Sequence, residues 1–308
     1  MNYLFGPVPS RRLGLSLGVD LVPFKTCSFD CLYCELGRTT SHTSKRQMYA
    51  PVAAVDAELT AYFQQPGGVS CDVVTLSGSG EPTLHEGLAA IVRRIRELTT
   101  IPVALLTNSS LLADPGVRQA AALVDIILPS LDAVSPEVFA RLNRPVPEVT
   151  VDAIIAGLLA LRQEFAGALW LEVLFCRGIN DHETEIARLS EVIHHLQPDK
   201  IHLNTVVRPG AYREAQPVSA AFLHQVQRRW GPRAEIVAPF ERERLNEQQQ
   251  DCQRLIVDTV KRRPCTVRDL AVLCALAPAE VVKIIDLLQG VGAIRATDHE
   301  GQIFYCAD

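Results

Sequence analysis

The sequence lacks the features that would mark a membrane-spanning, secreted or nucleic-acid-coating protein. Its 308 residues contain no apolar run long enough to span a bilayer, and the chain does not open on a basic segment followed by an apolar one. The net charge of −5 argues against the broad positive surface that coats nucleic acid. We therefore expect a soluble, cytoplasmic protein without a membrane partner.

A disulfide framework is not indicated either, although the chain has nine cysteines. Their number is odd, the chain is long, and no secretory signal accompanies them. Three of them stand close together in the run Cys27-Ser28-Phe29-Asp30-Cys31-Leu32-Tyr33-Cys34. This C-x3-C-x2-C spacing is the most informative feature of the chain.

Three close cysteines without a fourth nearby indicate an iron–sulfur cluster with one open iron. Cysteine thiolates hold the irons of such clusters, so Cys27, Cys31 and Cys34 could hold three irons of a 4Fe–4S cluster. The fourth iron would then take an exchangeable ligand. The alternative is a zinc site with His42 as the fourth ligand, but structural zinc sites usually pair two short cysteine knuckles, and the sequence shows one.

Short apolar runs alternate with helical patterns from about Ser16 to Pro239, which predicts an α/β fold with a parallel sheet. About six strand–helix units are visible, so a partial (β/α)6 TIM-like barrel fits better than a complete barrel. Function is expected at the C-terminal ends of the strands. The predicted strands are Cys71–Leu76, Ile101–Thr107, Val124–Leu128, Ala168–Phe175, Lys200–Val206 and Ala234–Val237.

Helix-capping residues stand between these strands. An amphipathic helix is predicted over His85–Leu98, because its apolar residues recur on one face. Further helices are predicted to begin at the caps Asp114, Ser135 and Thr150, and at Asn180 or Asp181.

The composition predicts a core domain over residues 1–240 and a small domain over residues 241–308. The polar run Glu241–Asp251 predicts a linker that leads into a helix. Thr266 and Pro278 each open a further helix, and a hairpin over Ile294–Tyr305 completes a winged-helix-like tail.

The charges of this tail disfavour duplex DNA as a partner. Its third predicted helix carries Glu280 and Asp286 against Lys283, whereas a helix that binds phosphates needs a basic stripe. We therefore do not expect sequence-specific DNA binding. RNA contact through the basic run Lys261–Arg263 stays open.

Glycines and polar side chains stand where the first three predicted strands end. Glycine lets a ligand approach the backbone, a carboxylate can pair with an ammonium group, and short polar side chains can bind hydroxyls. Turn formation and helix capping are the alternative roles. The residues are Gly78, Gly80 and Glu81 after the first strand, Asn108 after the second, and Ser130 and Asp132 after the third.

Later positions supply candidates for the substrate side. Arg208 and Arg12 could bind an anion through their guanidinium forks, and Asn204 precedes Arg208 at the end of a strand. Cys176, at another strand end, could be a catalytic thiol that donates a hydrogen atom, and a buried inert thiol is the alternative.

These motifs resemble the signature of the radical S-adenosylmethionine (SAM) superfamily, which has an aromatic residue before the last cysteine and a glycine–glutamate motif after the next strand. The resemblance covers about residues 1–240. Within the superfamily, this sequence is similar to a subgroup of Fe–S oxidoreductases that is related to the wybutosine-synthesis enzymes, which act on tRNA. The chain departs from those enzymes by lacking a flavin-binding domain. The supporting stretches are Gly6–Gly14, Ser16–Asp20, Gly80–Leu84, Leu142–Pro145 and Leu203–Pro209.

The resemblance implies the cofactors and the reaction. The three clustered cysteines would ligate a 4Fe–4S cluster, and Gly78, Gly80, Glu81, Asn108, Ser130 and Asp132 would hold SAM. One electron from the cluster would cleave SAM to a 5′-deoxyadenosyl radical, which abstracts hydrogen from a tRNA nucleotide or another anionic substrate. The expected partners are that RNA, protein or small-molecule substrate and an electron donor such as flavodoxin or ferredoxin. The alternative is an Fe–S redox-sensing regulator that acts through the winged helix.

Overall fold

The computed structural model of the chain describes residues 3–65, 71–238, 247–299 and 301–307. Six strands form a parallel sheet and lie in chain order from β5 to β10, which confirms the predicted α/β class. Parallel strands joined by helices place their C-terminal ends on one edge, where the loops gather. The strands of residues 3–238 are β1 (Leu4–Ser10), β2 (Gly14–Val19), β3 (Thr26–Cys27), β4 (Ser41–His42), β5 (Val73–Leu76), β6 (Val103–Thr107), β7 (Ile126–Pro129), β8 (Ala168–Phe175), β9 (Lys200–Thr205) and β10 (Ala234–Ile236).

The helices bury apolar stripes against this sheet. In α2, four of the five residues predicted to share one face, Leu88, Ile91, Val92 and Ile95, are buried, and the fifth, Leu98 at the end of the helix, is half-buried. No helix in the described ranges is both long and apolar enough to cross a membrane. The helices of these residues are α1 (Val52–Phe63), α2 (Leu88–Leu98), α3 (Pro115–Ala121), α4 (Pro136–Leu142), α5 (Val151–Glu164), α6 (Glu183–Leu196) and α7 (Ala220–Trp230).

Two of the predicted caps form as expected. Asp114 accepts a hydrogen bond from the Gly116 N–H at 2.7 Å, and Thr150 accepts one from the Ala153 N–H. Ser135 precedes α4 but does not cap it with its side chain; its hydroxyl instead hydrogen-bonds Glu185.

The predicted start of α6 at Asn180 or Asp181 is wrong, since His182 occupies the cap and its ring accepts from the Glu185 N–H. Asn180 is instead buried in the turn after β8, where its Oδ1 accepts from the Cys176 N–H at 2.7 Å. Asp181 accepts from the Gly178 N–H.

Contacts divide the chain into two compact units. The first consists of residues 1–4, 19–69 and 74–238, and the second of residues 5–18, 70–73 and 239–308. The second unit therefore includes most of β1 and β2 as well as the tail. The predicted boundary at residues 240 and 241 and the linker residues 241–246 lie outside the described residues, so the proposed domain division stays a prediction.

The tail has the predicted order of elements, and its assignment as a winged helix stays a prediction. Its helices are α8 (Glu247–Val260), α9 (Val267–Cys274) and α10 (Pro278–Gly290), and β11 (Arg295–His299) pairs antiparallel with β12 (Gln302–Cys306). Thr266 and Asp269 form the predicted capping box at α9. Leu15 of β2 packs against the apolar core of this unit, and Arg11 pairs with Asp286 of α10 at 2.7 Å.

Candidate functional site

The loop that carries the three cysteines is fixed by backbone hydrogen bonds on both sides. The Leu32 N–H donates to the carbonyl of Leu142 at the end of α4, and the Leu32 carbonyl accepts from the Tyr212 N–H. On the other side, the Glu81 N–H donates to the Thr26 carbonyl at 3.1 Å. The cysteine loop is therefore held between the turn after β5, the end of α4 and the loop after β9.

Gly80 is required for this close approach of the two turns. A Cβ atom built on Gly80 would lie 1.8 Å from the Thr26 carbonyl oxygen, which no side chain tolerates. Gly78 has a φ of +144°, and a Cβ there would lie 2.5 Å from the Asp20 carboxylate. The two predicted glycines thus let the turn after β5 contact the cysteine loop and Asp20.

Each of the three thiols has its own N–H donor. The Lys25 ammonium lies 3.1 Å from Cys34 Sγ, Asn108 Nδ2 lies 3.4 Å from Cys27 Sγ, and Asn143 Nδ2 lies 3.6 Å from Cys31 Sγ. The three cysteines are free thiols. Sulfur with N–H donors around it is the environment expected of a ligating thiolate.

Burial favours the protonated form of two of the thiols, Cys27 and Cys31, when no metal is bound. It raises the pKa of Cys27 to about 12, with the Glu81 charge adding to the shift, and it raises the pKa of Cys31 well above its usual value of 9.0. Ligation requires thiolates, so metal binding at these cysteines would release protons.

The arrangement of the thiols bears on the zinc alternative. Within the described ranges, no three His, Cys, Asp or Glu side chains are grouped closely enough to share one metal ion. His42 does not complete a four-ligand set, and its Nε2 lies 3.1 Å from the Ser28 carbonyl oxygen. In a cluster each cysteine thiolate ligates a different iron, so three thiols that do not share one ion fit a cluster better than a single zinc ion.

Asp132 supports the cysteine loop through a buried hydrogen-bond network. Its carboxylate accepts from the Tyr33 hydroxyl, from Asn143 Nδ2 at 2.8 Å and from the Leu174 N–H at 2.9 Å. Burial raises the pKa of Asp132 to about 6, against the effect of these donors. Its side chain is therefore committed to positioning Tyr33 and Asn143.

A small enclosed cavity brings together the residues predicted at the strand ends. Asn108, Ser130 and Asp132 line it together with Tyr33 and Asn143, and its volume is about 10 Å³. This volume holds about one water molecule. The structure thus places the predicted residues around one point beside the cysteine loop, and a ligand as large as SAM does not fit inside this cavity.

Glu81 is buried and already accepts four hydrogen bonds. Its Oε1 accepts from the N–H and the hydroxyl of Thr83 and from the hydroxyl of Thr107, and its Oε2 accepts from the Asn108 N–H at 2.7 Å. Burial raises the pKa of Glu81, and these donors oppose the shift. Oε1 thus accepts three hydrogen bonds and Oε2 accepts one, so Oε2 retains capacity for a further donor.

The substrate-side candidates are more dispersed. Asn204 Nδ2 donates to Glu172 at 2.9 Å, and Arg208 pairs at 2.8 Å with Glu35, the residue after Cys34. Arg12 belongs to the unit that contains the tail. Cys176 is fully buried in an apolar cluster, and burial raises its pKa to about 12, which favours the inert thiol over a hydrogen-atom donor.

An aromatic and cationic cluster lies beside the cysteine loop. The guanidinium carbons of Arg38 and Arg144 lie 4.6 and 4.5 Å from the centre of the Tyr212 ring, and the Tyr212 hydroxyl donates to Asp30 at 2.5 Å. Asp30 and Arg144 also line an open cavity of about 710 Å³ that reaches Arg141.

The sequence did not predict the thiol contacts of Lys25 and Asn143, although Lys25 was one of the loop cations expected to bind the SAM carboxylate or a substrate anion. Asn143 stands in the Leu142–Pro145 stretch that carried the family resemblance, and Lys25 stands two positions before Cys27. These were the available signals, but neither identifies a contact with sulfur.

Comparison with known proteins places these residues in a family. The profile of the Radical SAM superfamily matches residues 21–189, which include all three cysteines and the turn after β5. A UPF0026 protein of Synechocystis sp. is 38% identical over 207 residues, which are 67% of this chain and 76% of that protein.

A further relative extends over the tail. A Brachyspira hyodysenteriae protein named GTPase Obg is 29% identical over 308 residues, which are 99% of this chain and 45% of that protein. The chain thus spans less than half the length of this relative. The sequence of this chain contains no G-x4-G-K-[ST] motif, which is the phosphate-binding loop of many GTPases.

Solved structures share the fold. A structure of TYW1 with a lysine–pyruvate adduct bound superimposes with a TM-score of 0.51 at 14% identity, over 70% of this chain and 72% of the other. Native anSMEcpe with bound AdoMet gives a TM-score of 0.54 at 14% identity, over 82% of this chain and 70% of the other.

Proposed function

Since the chain belongs to the radical SAM superfamily, whose members use a 4Fe–4S cluster and SAM, we propose that Cys27, Cys31 and Cys34 hold this cluster. The bound cofactors would supply a 5′-deoxyadenosyl radical, made from SAM with one electron, that abstracts hydrogen from a substrate. The observation that carries this proposal is the loop itself, on which three free thiols each contact a separate N–H donor.

The turn after β5 is the proposed binding segment for SAM. Gly78 and Gly80 let this turn lie against Asp20 and Thr26 beside the cysteine loop, and Oε2 of Glu81 can accept one further donor, such as the SAM ammonium. Asn108 and Ser130 are proposed to contact SAM from the neighbouring strand ends. For Asp132 we propose a positioning role, because its carboxylate accepts three donors from the protein.

An anionic substrate is supported by the cations that surround the cysteine loop. Arg208 is exposed beside Glu35, and Arg38 and Arg144 flank Tyr212 near the open cavity. Guanidinium groups bind phosphate and carboxylate in two-pronged fashion, so a nucleotide of tRNA is one such substrate. Asn204 and Arg12 are kept as weaker substrate candidates, and flavodoxin or ferredoxin in the cytoplasm is the proposed source of electrons.

Iron analysis after anaerobic reconstitution tests the cluster. The wild-type protein should bind about four irons per chain, and Cys31→Ala should bind almost none. Cys71→Ala is the matched control, since Cys71 is a buried cysteine outside the loop, and it should bind iron like the wild type. Stoichiometric zinc without iron in the reconstituted wild type would refute the proposal.

The substrate class is tested by the rate of 5′-deoxyadenosine formation from SAM. Total tRNA or a pool of anionic metabolites should raise this rate in the wild type, and Arg208→Ala should reduce the stimulation. Stimulation by uncharged metabolites alone would contradict an anionic substrate.

A further inference from the structure

The three N–H donors around the thiols come from three separate loops. Lys25 precedes β3, Asn108 follows β6, and Asn143 follows α4. Asn143 and Cys31 are 112 residues apart in sequence, and Asn108 and Cys27 are 81 apart. One donor for each thiol is therefore a property of the tertiary structure and does not arise from the local shape of the cysteine loop.

Each donor is held in place by further hydrogen bonds. Lys25 adopts a left-handed backbone with a φ of 60°, and its N–H donates to the Ser79 carbonyl at 2.7 Å. Asn108 donates from the same Nδ2 to Ser28 Oγ at 2.9 Å and accepts from the Ser110 N–H. Asn143 Nδ2 is oriented by Asp132. Side chains fixed in this way lose little entropy when they hydrogen-bond to a charged sulfur.

Lys25 is the most unusual of the three. Its side chain is buried, with 3% of the residue exposed, and its ammonium donates to Cys34 Sγ. Within the described part of the chain, no ion pair joins Lys25 to a carboxylate. A buried ammonium is costly without a negative partner, and a cluster ligated by three thiolates supplies one.

Asn143 gives a second, independent sign that a group is bound here. Its Oδ1 is buried and lacks a hydrogen-bond partner, while its Nδ2 contacts Cys31 Sγ. Buried polar atoms are nearly always satisfied, so this orphaned acceptor needs a donor; a cluster has none, whereas SAM bound beside it carries an ammonium and hydroxyl groups.

We infer that Lys25, Asn108 and Asn143 are positioning residues that make the cluster easier to reduce. The inference rests on the proposed function, because it requires the cluster at Cys27, Cys31 and Cys34. Reduction adds one electron and breaks no bond, so the cluster gains one negative charge. N–H donors and a buried positive charge stabilise that extra charge on the sulfurs, and Lys25 should contribute most because its charge is whole.

A redox titration followed by electron paramagnetic resonance tests this inference without SAM and without turnover, with dithionite as the one-electron donor. Lys25→Met removes the ammonium and retains an unbranched side chain. We expect its equilibrium constant for reduction to fall at least tenfold, which corresponds to a midpoint potential lower by about 59 mV. Asn108→Ala and Asn143→Ala should lower the constant about two- to tenfold.

Lys200→Met is the matched control, because Lys200 begins β9 and lies over the Trp170 ring. It should leave the potential unchanged. Equal potentials in the wild type and in all three contact variants, with iron retained, would overturn the inference. Loss of iron from all three contact variants, while Lys200→Met retains its iron, would also overturn the inference. The donors would then hold the cluster in place without tuning its midpoint potential. A wild-type protein that binds no iron would instead refute the proposed function.

Discussion

Glu81 shows how one buried side chain can serve both the fold and a ligand. Its four hydrogen bonds join the turn after β5 to Thr107 and Asn108 at the end of β6. The two strand ends next to the cysteine loop are therefore fixed by one carboxylate. Any role of Glu81 in binding SAM would use the remaining capacity of Oε2.

Glu81→Gln should destabilise the protein even when SAM is absent. An amide has one acceptor atom, so at least one of the Thr83, Thr107 and Asn108 donors loses its partner, at a cost of roughly 1–3 kcal/mol. Chemical denaturation without SAM measures this loss. Exposed Glu86 gives the control Glu86→Gln, which should unfold like the wild type, and equal stability of both variants would contradict the assigned contacts of Glu81.

The same variant separates the structural role of Glu81 from its role in binding SAM. Loss of a hydrogen bond to a charged group costs roughly 1.5–3 kcal/mol, so SAM affinity should fall at least about tenfold. Calorimetric titration of the folded variant with SAM measures this affinity. Unchanged affinity would remove Glu81 from the SAM site and leave it a structural role.

At the scale of elements, the start of α2 depends on a neutral histidine. His85 is fully buried; its Nε2 lies 2.8 Å from the Ala50 carbonyl oxygen, and its Nδ1 accepts from the N–H of Gly87, the cap of α2. Burial lowers the pKa of His85 from its usual 6.5, with the Arg46 charge adding to the shift. Protonation would place a hydrogen on Nδ1 and break the contact with Gly87.

Stability should therefore depend on pH through His85. Because the folded pKa is lowered, the stabilisation from the neutral ring is complete above pH 6.5 and is lost as the pH falls toward the folded pKa. The slope is at most about 1.4 kcal/mol per pH unit. Denaturation at several pH values should show the wild type losing its advantage over His85→Gln below that pH. A difference that stays constant with pH would contradict the assignment.

The sheet was more predictable from sequence than the contacts around the thiols. Strand β8 begins and ends as predicted, at Ala168 and Phe175, because its apolar run is long and bounded by turn residues. Helix α1 was not predicted, since its alanines and valines form no clear apolar stripe, and β1 was not predicted, because Pro7 and Pro9 interrupt it.

The cysteine loop and the glycine turn could be predicted from the sequence, because the spacing of neighbouring residues defines both. The cysteine spacing identified the loop, and the glycine turn after β5 lies against it as the order of strands implied. The contact between Asn143 and Cys31 depends on how α4 packs on the loop, and the burial of Lys25 depends on the turn at Ser79. Neither contact has a local pattern, so sequence reasoning could not have found them.

At the scale of the whole molecule, the tail shares a compact unit with residues 5–18. Asp286 of α10 pairs with Arg11, and both side chains are partly exposed, so the pair contributes about 1 kcal/mol at most. Helix α10 carries acidic residues, and one of them is already paired with Arg11. It therefore lacks the basic stripe that a DNA-binding regulator would need. We therefore propose that the tail contacts another protein or presents the substrate.

A chain that ends at Glu247 should keep its iron and cleave SAM slowly, because the predicted cofactor residues and the thiol contacts lie between residues 25 and 143. It should lose turnover of the true substrate. It should also unfold at a lower temperature than the full chain, since Leu15 loses the apolar core that it packs against. Iron analysis checks the retained cluster, and thermal unfolding checks the lowered unfolding temperature. Loss of iron on truncation would show that the tail supports the cluster.

The formation of 5′-deoxyadenosine from SAM tests the central claim most directly. Reconstituted wild-type protein, reduced with dithionite under anaerobic conditions, should produce it in amounts that increase with time. Cys31→Ala, treated in the same way, should produce none above the background without protein. A wild-type protein that binds about four irons per chain and SAM but yields no more 5′-deoxyadenosine than Cys31→Ala would contradict the account.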